Sequence, residues 1–152
     1  MDDREAAQAI HQVLTARTSG LSCDTASFLY REEAGTSCVE ASLTVTVNHE
    51  NGYGGLVWYA DGNTAKRLTE TKGEEFSDSI WVSANPNPPE FEPEILSDPW
   101  APAYIHRTSA LPLADIRSAL KEFCTTGNGD RPTCIGWVEG NFNGTPLQPP
   151  AQ

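Results

Sequence analysis

Three histidines, four cysteines and 21 carboxylates are the groups from which this 152-residue chain would build a reactive site. His11, His49 and His106 lie far apart in sequence, and none stands in a local pattern that pairs an imidazole with a nucleophile. Neither G-x-S-x-G nor H-E-x-x-H occurs. A zinc deaminase needs H-x-E followed by P-C-x-x-C; His49-Glu50 lacks the spacer, and Pro132-Thr133-Cys134 has no second cysteine three residues on. Cys23, Cys38, Cys124 and Cys134 make no C-x-x-C pair and have no histidine nearby, so neither a metal nor a cofactor is expected. Cys23 with Cys38, or Cys124 with Cys134, could pair in an oxidising compartment, and all three connectivities stay open. Two carboxylates could serve glycosidase-like chemistry, but that depends on their separation in space, and nothing in the sequence singles out a pair. The glycines of Asn51-Gly52-Tyr53-Gly54-Gly55 lack the spacing of a phosphate-binding loop and suit a hairpin connection better.

The stretch Gly73 to Tyr104 offers binding chemistry instead. It holds seven carboxylates (Glu74, Glu75, Asp78, Glu90, Glu92, Glu94, Asp98) and no Lys, Arg or His, with Phe76, Trp81, Phe91, Trp100 and Tyr104 interleaved. Six prolines between Pro86 and Pro102 stiffen it and keep it out of central strands and helix interiors. Two readings stand side by side: a stiff acidic docking surface with aromatic anchors, or a solvated loop in which Trp81 belongs to a core strand.

Ten Lys and Arg against 21 Asp and Glu give a net charge of −11, which argues against direct binding to nucleic acid or an anionic membrane and favours a basic partner. Mean hydropathy of −0.43 without a long apolar run predicts no membrane span. The start MDDREAAQAI lacks the basic and apolar regions of a signal peptide, so a cytoplasmic location is expected.

The elements that must position these groups follow from periodicity. Residues 2–17 predict an amphipathic helix with Ala6, Ala9, Ile10, Val13 and Leu14 on one stripe. Strands are expected at Thr25–Arg31, Cys38–Asn48, Leu56–Ala60, Ala65–Glu70, Ser79–Ala84 and Thr133–Glu139, the second showing strict alternation and Asp61-Gly62 marking a tight turn. A second helix is expected from Pro112 to Cys124, stopped by Gly127. Strands in a run with a helix before and after imply an α+β fold: a mostly antiparallel sheet of five to six strands with two helices packed on one face. One domain is expected over residues 1–145, with an acidic proline-rich loop at 85–104 and a flexible tail at 146–152.

The ordered blocks GGLVWYADG (Gly54 to Gly62), SIWVSANPNPPE (Ser79 to Glu90), DPW (Asp98 to Trp100), LPLADIRSALKEFCTTG (Leu111 to Gly127) and RPTCIGWVEG (Arg131 to Gly140) resemble the immunity protein family one of bacterial polymorphic-toxin systems. The resemblance spans roughly residues 40 to 144 and leaves out the first helix. It implies a small α+β protein without enzymatic activity, which binds a cognate toxin domain in the bacterial cytoplasm and blocks it. Members are commonly paired with nucleic-acid deaminase toxins, including those that act on cytosine. The family's tryptophans and its Trp-x-Glu fall on Trp58, Trp81, Trp137 and Glu139, as contact or as core.

Resemblance and residue chemistry meet on one expectation. A deaminase toxin must offer phosphates a basic cleft, and Glu90, Phe91, Glu92, Glu94, Asp98 and Trp100 would cover it, the acids steering and the aromatics anchoring. Alternatives are immunity against a nuclease toxin, or an enzymatic or small-ligand domain with Gly52 to Gly55 and Asp61 at the edge of a pocket.

Overall fold

The structure, a computed structural model, describes residues 2–15, 23–30, 40–61, 69–70, 80–98, 100 and 102–147. The alternating segment Ala41–Asn48 lies at its centre as strand β2, paired antiparallel on one side with β1 (Cys23–Tyr30) and on the other with β3 (Tyr53–Ala60). Strand β4 (Ile80–Ala84) follows β3, and β8 (Gly136–Glu139) closes the row at the far edge. Every neighbour is antiparallel. A two-residue strand, β7 (Leu111–Pro112), also pairs with β3, at Tyr53 and Gly54, and brings the sheet to six strands.

The register puts Phe28, Leu43, Trp58 and Trp81 in one row on one face, with Ala26, Val45 and Leu56 beside them. Helices α1 (Asp3–Thr15) and α2 (Leu113–Thr126) bury Ile10 and Leu14, and Ile116, Ala119, Leu120 and Phe123, into this same face. The α+β architecture with both helices on one face follows from that shared core. Helix α1 begins on a reciprocal cap, in which Glu5 N–H donates to Asp2 Oδ1 at 2.8 Å and Asp2 N–H donates to Glu5 Oε2 at 3.2 Å. Helix α2 ends where Gly127 turns left-handed at φ 65° and donates its N–H back to Phe123 O.

Among the described residues, the opposite face is covered mostly by irregular chain, with one 3-10 turn at Arg107–Ser109. Chain from Pro93 to Ala110 crosses it, carrying the short antiparallel pair β5 (Leu96–Asp98) and β6 (Ala103–Tyr104), and buries Ile95, Ile105 and Ala110 with Tyr53 against them. Ile105 sits on bare backbone. A Cβ at Gly55 would come within 2.4 Å of its Cδ1, so glycine at 55 is what lets this layer seat.

Several expected boundaries move. Thr69 and Glu70, at the end of the expected fourth strand, are helical, and residues 62–68, with the Asp61-Gly62 turn, lie outside the described residues. Strand β1 starts at Cys23 rather than Thr25, and the last strand forms only at Gly136–Glu139. The start of the expected tail is held: Pro146 is buried and bridges to Gly140, and Leu147 N–H donates to Glu139 O at 3.0 Å.

Leu43 is fully buried in the row between Phe28 and Trp58, in the core shared with the helices. Leu43→Ala is expected to cost about 2–5 kcal/mol, read as a lower urea midpoint at unchanged slope; a cost under about 0.5 kcal/mol would contradict this account of the core.

Candidate functional site

The acidic segment is held to the sheet by polar side chains that take up its irregular backbone. Asn85 opens it: its N–H donates to Thr108 O and its Nδ2 to Ala110 O, both at 2.7 Å, while its Oδ1 accepts Asn87 N–H. Arg107 Nη1 donates to Pro89 O at 2.9 Å. Pro93 is then buried at the end of the sheet where β1 starts and β2 stops. There Asn48, itself 4% exposed, donates Nδ2 to both Pro93 O and Glu94 O, at 3.2 and 3.1 Å, and Asn51 Nδ2 adds a bond to Pro93 O at 2.7 Å. The Cys23 thiol donates to Glu94 O and accepts Leu96 N–H at 3.3 Å. Beside this clamp His49 Nε2 and Asp24 Oδ2 pair at 3.1 Å, with both side chains almost buried.

This clamp fixes a backbone that would not hold itself. Glu94 has φ 48°, left-handed for a residue with a long side chain, which costs about 1–2 kcal/mol. The bonds to its carbonyl and to the neighbouring groups offset that cost, so the segment is a rigid arm.

The arm displays its residues unequally. Glu90, Glu92 and Glu94 are exposed, and Phe91 is 49% exposed with its ring edge-on to Tyr53, centroids 5.5 Å apart at 82°. Asp98 is half-buried, and its Oδ1 accepts Trp100 N–H at 3.0 Å, shaping the β5–β6 turn. Trp100 at that turn is 94% exposed. The expected contact residues therefore lie along one anchored stretch of chain, in which residue 99 is outside the described residues. Glu74, Glu75, Phe76 and Asp78 lie outside the described residues.

The family-motif residues stand elsewhere. Trp58 is fully buried, and its Nε1–H donates to Gly129 O at 3.0 Å. Trp81 and Trp137 are half-buried against the helical core, the first under the Arg131 guanidinium at 4.6 Å and the second donating to Pro132 O at 2.7 Å. Glu139 is exposed opposite Trp81 in the ladder. The anchors Asn48, Asn51, Asn85 and Cys23 escaped the sequence reading. Asn48 falls in the polar phase of β2 and carries the signal of a wet residue, and only the long-range cover makes it buried.

Among the described residues the glycine-edged pocket of the small-ligand alternative does not form. Gly54 and Gly55 border packed atoms rather than a pocket: a Cβ at 54 would meet Thr46 O at 2.8 Å, and one at 55 would meet Ile105. A groove of about 740 Å³ runs along β1, lined by residues such as Val13, Phe28 and Phe123, and neither Asp61 nor Gly52 to Gly55 lines it. Among the described residues no three His, Cys, Asp or Glu converge to hold a metal ion. Cys124 and Cys134 are free thiols, and Cys38 lies outside the described residues. Burial pushes the Cys124 thiol up. Partial burial, then the hydrogen bond and charge of Glu122, push Cys134 up to about 11. That Glu122 carboxylate also accepts Thr133 N–H and Cys134 N–H, tying α2 to the chain entering β8.

Two outcomes are expected. Asn48→Ala removes one of the two donors at each of the Pro93 and Glu94 carbonyls and is expected to cost about 1–3 kcal/mol, with amide exchange at 94–96 accelerated more than in β2 and β3; equal acceleration throughout would remove Asn48 as the arm's anchor. Cys134, although exposed, is expected to alkylate at pH 8 at least about tenfold more slowly than an unperturbed thiol, and faster in Glu122→Gln. A rate equal to that of a free thiol would contradict the Glu122 effect.

The comparisons give the arm its context. No curated protein and no solved structure matches the chain at a significant level. The family model described as Immunity protein Imm1 matches residues 4–139, taking in helix α1, which the sequence resemblance had left out. A match over nearly the whole chain shows the family, and this chain belongs to the Imm1 immunity proteins.

Proposed function

We propose that this protein inhibits its cognate toxin by laying the arm at residues 90–100 across a basic substrate cleft, and that the toxin is a nucleic-acid deaminase acting on cytosine. Membership of an immunity family implies a toxin partner. The observation that carries the rest is an arm locked by Asn48, Asn51 and Cys23 that presents Phe91 and Trp100 to solvent among Glu90, Glu92, Glu94 and Asp98. Ordering such a segment at the moment of binding would cost affinity, and here the fold has already ordered it.

The roles divide by physics. Carboxylates on a chain of net charge −11 attract a cleft built for phosphates, raise the encounter rate and set register. The aromatics supply desolvated contact, where most binding energy concentrates. The toxin is blocked sterically and electrostatically, and the inhibitor needs no reaction and no cofactor of its own. It acts in the cytoplasm of the producing bacterium, where the toxin is made, and binds neither nucleic acid nor membrane; no described helix is long and apolar enough to cross a bilayer. A nuclease toxin shares the basic cleft and is the second partner class that the charge suits.

Purified cytosine-deaminase and nuclease toxin domains, titrated with the protein in activity assays, test the reading. Inhibition of a deaminase domain is expected, with Phe91→Ala/Trp100→Ala weakening binding by at least about 2 kcal/mol at unchanged thermal stability. Inhibition confined to nuclease domains would replace the deaminase. Unchanged affinity of the folded double variant would take the arm out of the interface.

A further inference from the structure

We propose that the toxin-contact surface does not end at Trp100 but continues onto the C-terminal turn at residues 140–147, so that Tyr104, Phe142 and Tyr59 form an apolar platform beside the acidic arm. The inference rests on the toxin-binding reading above and adds a second, separable half to its interface.

The turn is built to hold its shape. Asn141 N–H donates to Thr145 O and Gly144 N–H donates to Asn141 O, both at 2.9 Å, while Asn143 Oδ1 accepts both Thr145 N–H and Thr145 Oγ1–H. None of these bonds uses Phe142. Its ring nevertheless stands 64% exposed, resting at 5.3 Å and 51° on the half-buried ring of Tyr59. A tight turn rich in Asn and Gly meets its own needs with polar residues, so a large apolar side chain displayed from one is surface provided for something else.

Turn and arm are fastened together. The Ser97 hydroxyl in β5 lies within hydrogen-bond distance of both Ala103 O, at 3.0 Å, and Asn143 O, at 2.5 Å, and shares its one proton between them. Ile105, next to β6, packs so closely on Gly144 that a Cβ there would lie 2.6 Å from its Cγ1. Trp100 and Tyr104, 94% and 49% exposed, therefore project from a hairpin fastened to the turn that projects Phe142.

Charge selects the occupant. Among the described cations, Arg4, Arg117 and Lys121 lie on the helices, Arg131 covers Trp81 on the helical face, and Arg107 is engaged with Pro89 O. On the side of the arm the described charges are four carboxylates, Glu90, Glu92, Glu94 and Asp98, against the one cation Arg107, so the net charge there is negative. A second copy of this chain would bring the same acids against them. A basic domain with an apolar patch beside its cleft fits, and that is the chemistry of a phosphate-handling toxin.

The test compares Phe142→Ala, Phe142→Lys and Phe91→Ala/Trp100→Ala for affinity towards the toxin domain that the unmodified full-length protein inhibits, with sedimentation of each variant alone. Because Phe142 is exposed, its substitution is expected to leave melting unchanged. Expected is about a tenfold loss for Phe142→Ala and a larger loss for Phe142→Lys, which sets a cation against a basic partner. Affinity of Phe142→Ala within about twofold of the unmodified protein, with the arm variant impaired, would overturn the platform and leave the arm standing. Loss on Phe142→Ala with the arm variant unimpaired would keep the platform and sink the arm. Equal losses for Ala and Lys would overturn the basic partner face, and a dimer that Phe142→Ala dissociates would give the platform to a second copy.

Discussion

Covering one face of a sheet with irregular chain sets the hardest condition this fold must meet. A helix arrives with its backbone bonds made, whereas the segment at 85–110 brings carbonyls and amides that need partners once water leaves. The sheet supplies them from its own side chains. Asn48 and Cys23 receive the arm at the end where β1 starts, Asn85 receives the return of the chain beyond β4, and the Ser83 hydroxyl donates to Ser109 O at 2.7 Å while accepting Leu56 N–H. Remove these pegs and the second layer has no reason to stay.

The same pegs explain how an immunity protein can carry an exposed, charged, aromatic segment without losing order. Apolar burial in the second layer is small, chiefly Ile95, Ile105 and Ala110. Hydrogen bonds to buried amides do the locating, and close contacts at Gly55 and Gly144 let Ile105 tie sheet, hairpin and C-terminal turn together. Stability resides mainly in the helical face, and presentation resides in the other.

Legibility from sequence divides along the same line. The two helices and strands β2 and β3 were readable because their periodicity is local: Ile10 and Leu14, Ile116 and Leu120, Leu43 and Val45 repeat at the spacing of their elements. The family was readable because its blocks lie in order, and the match extends them to residues 4–139. The arm was readable as acidic, aromatic and stiff. Its anchorage was not, since Asn48 and Pro93 stand 45 positions apart and neither residue announces the other. Phe142 was lost in a segment of Asn and Gly that reads as connection. Thr69 and Glu70, where the end of the fourth strand was expected, are helical; a few residues carry too little periodicity to tell strand from helix.

The clamp at Glu94 also separates what can vary from what cannot. The anchors act on main-chain carbonyls of Pro93 and Glu94, which every residue type possesses, while Phe91, Trp100 and Phe142 contribute little to the buried core. If the proposed interface holds the toxin, a lineage that meets an altered one can exchange the tips of its arm and turn through successive substitutions without first acquiring stabilising ones. Under that proposal the scaffold has an evolutionary freedom like that of an antibody framework: exposed tips drift, and the fold beneath them stays put.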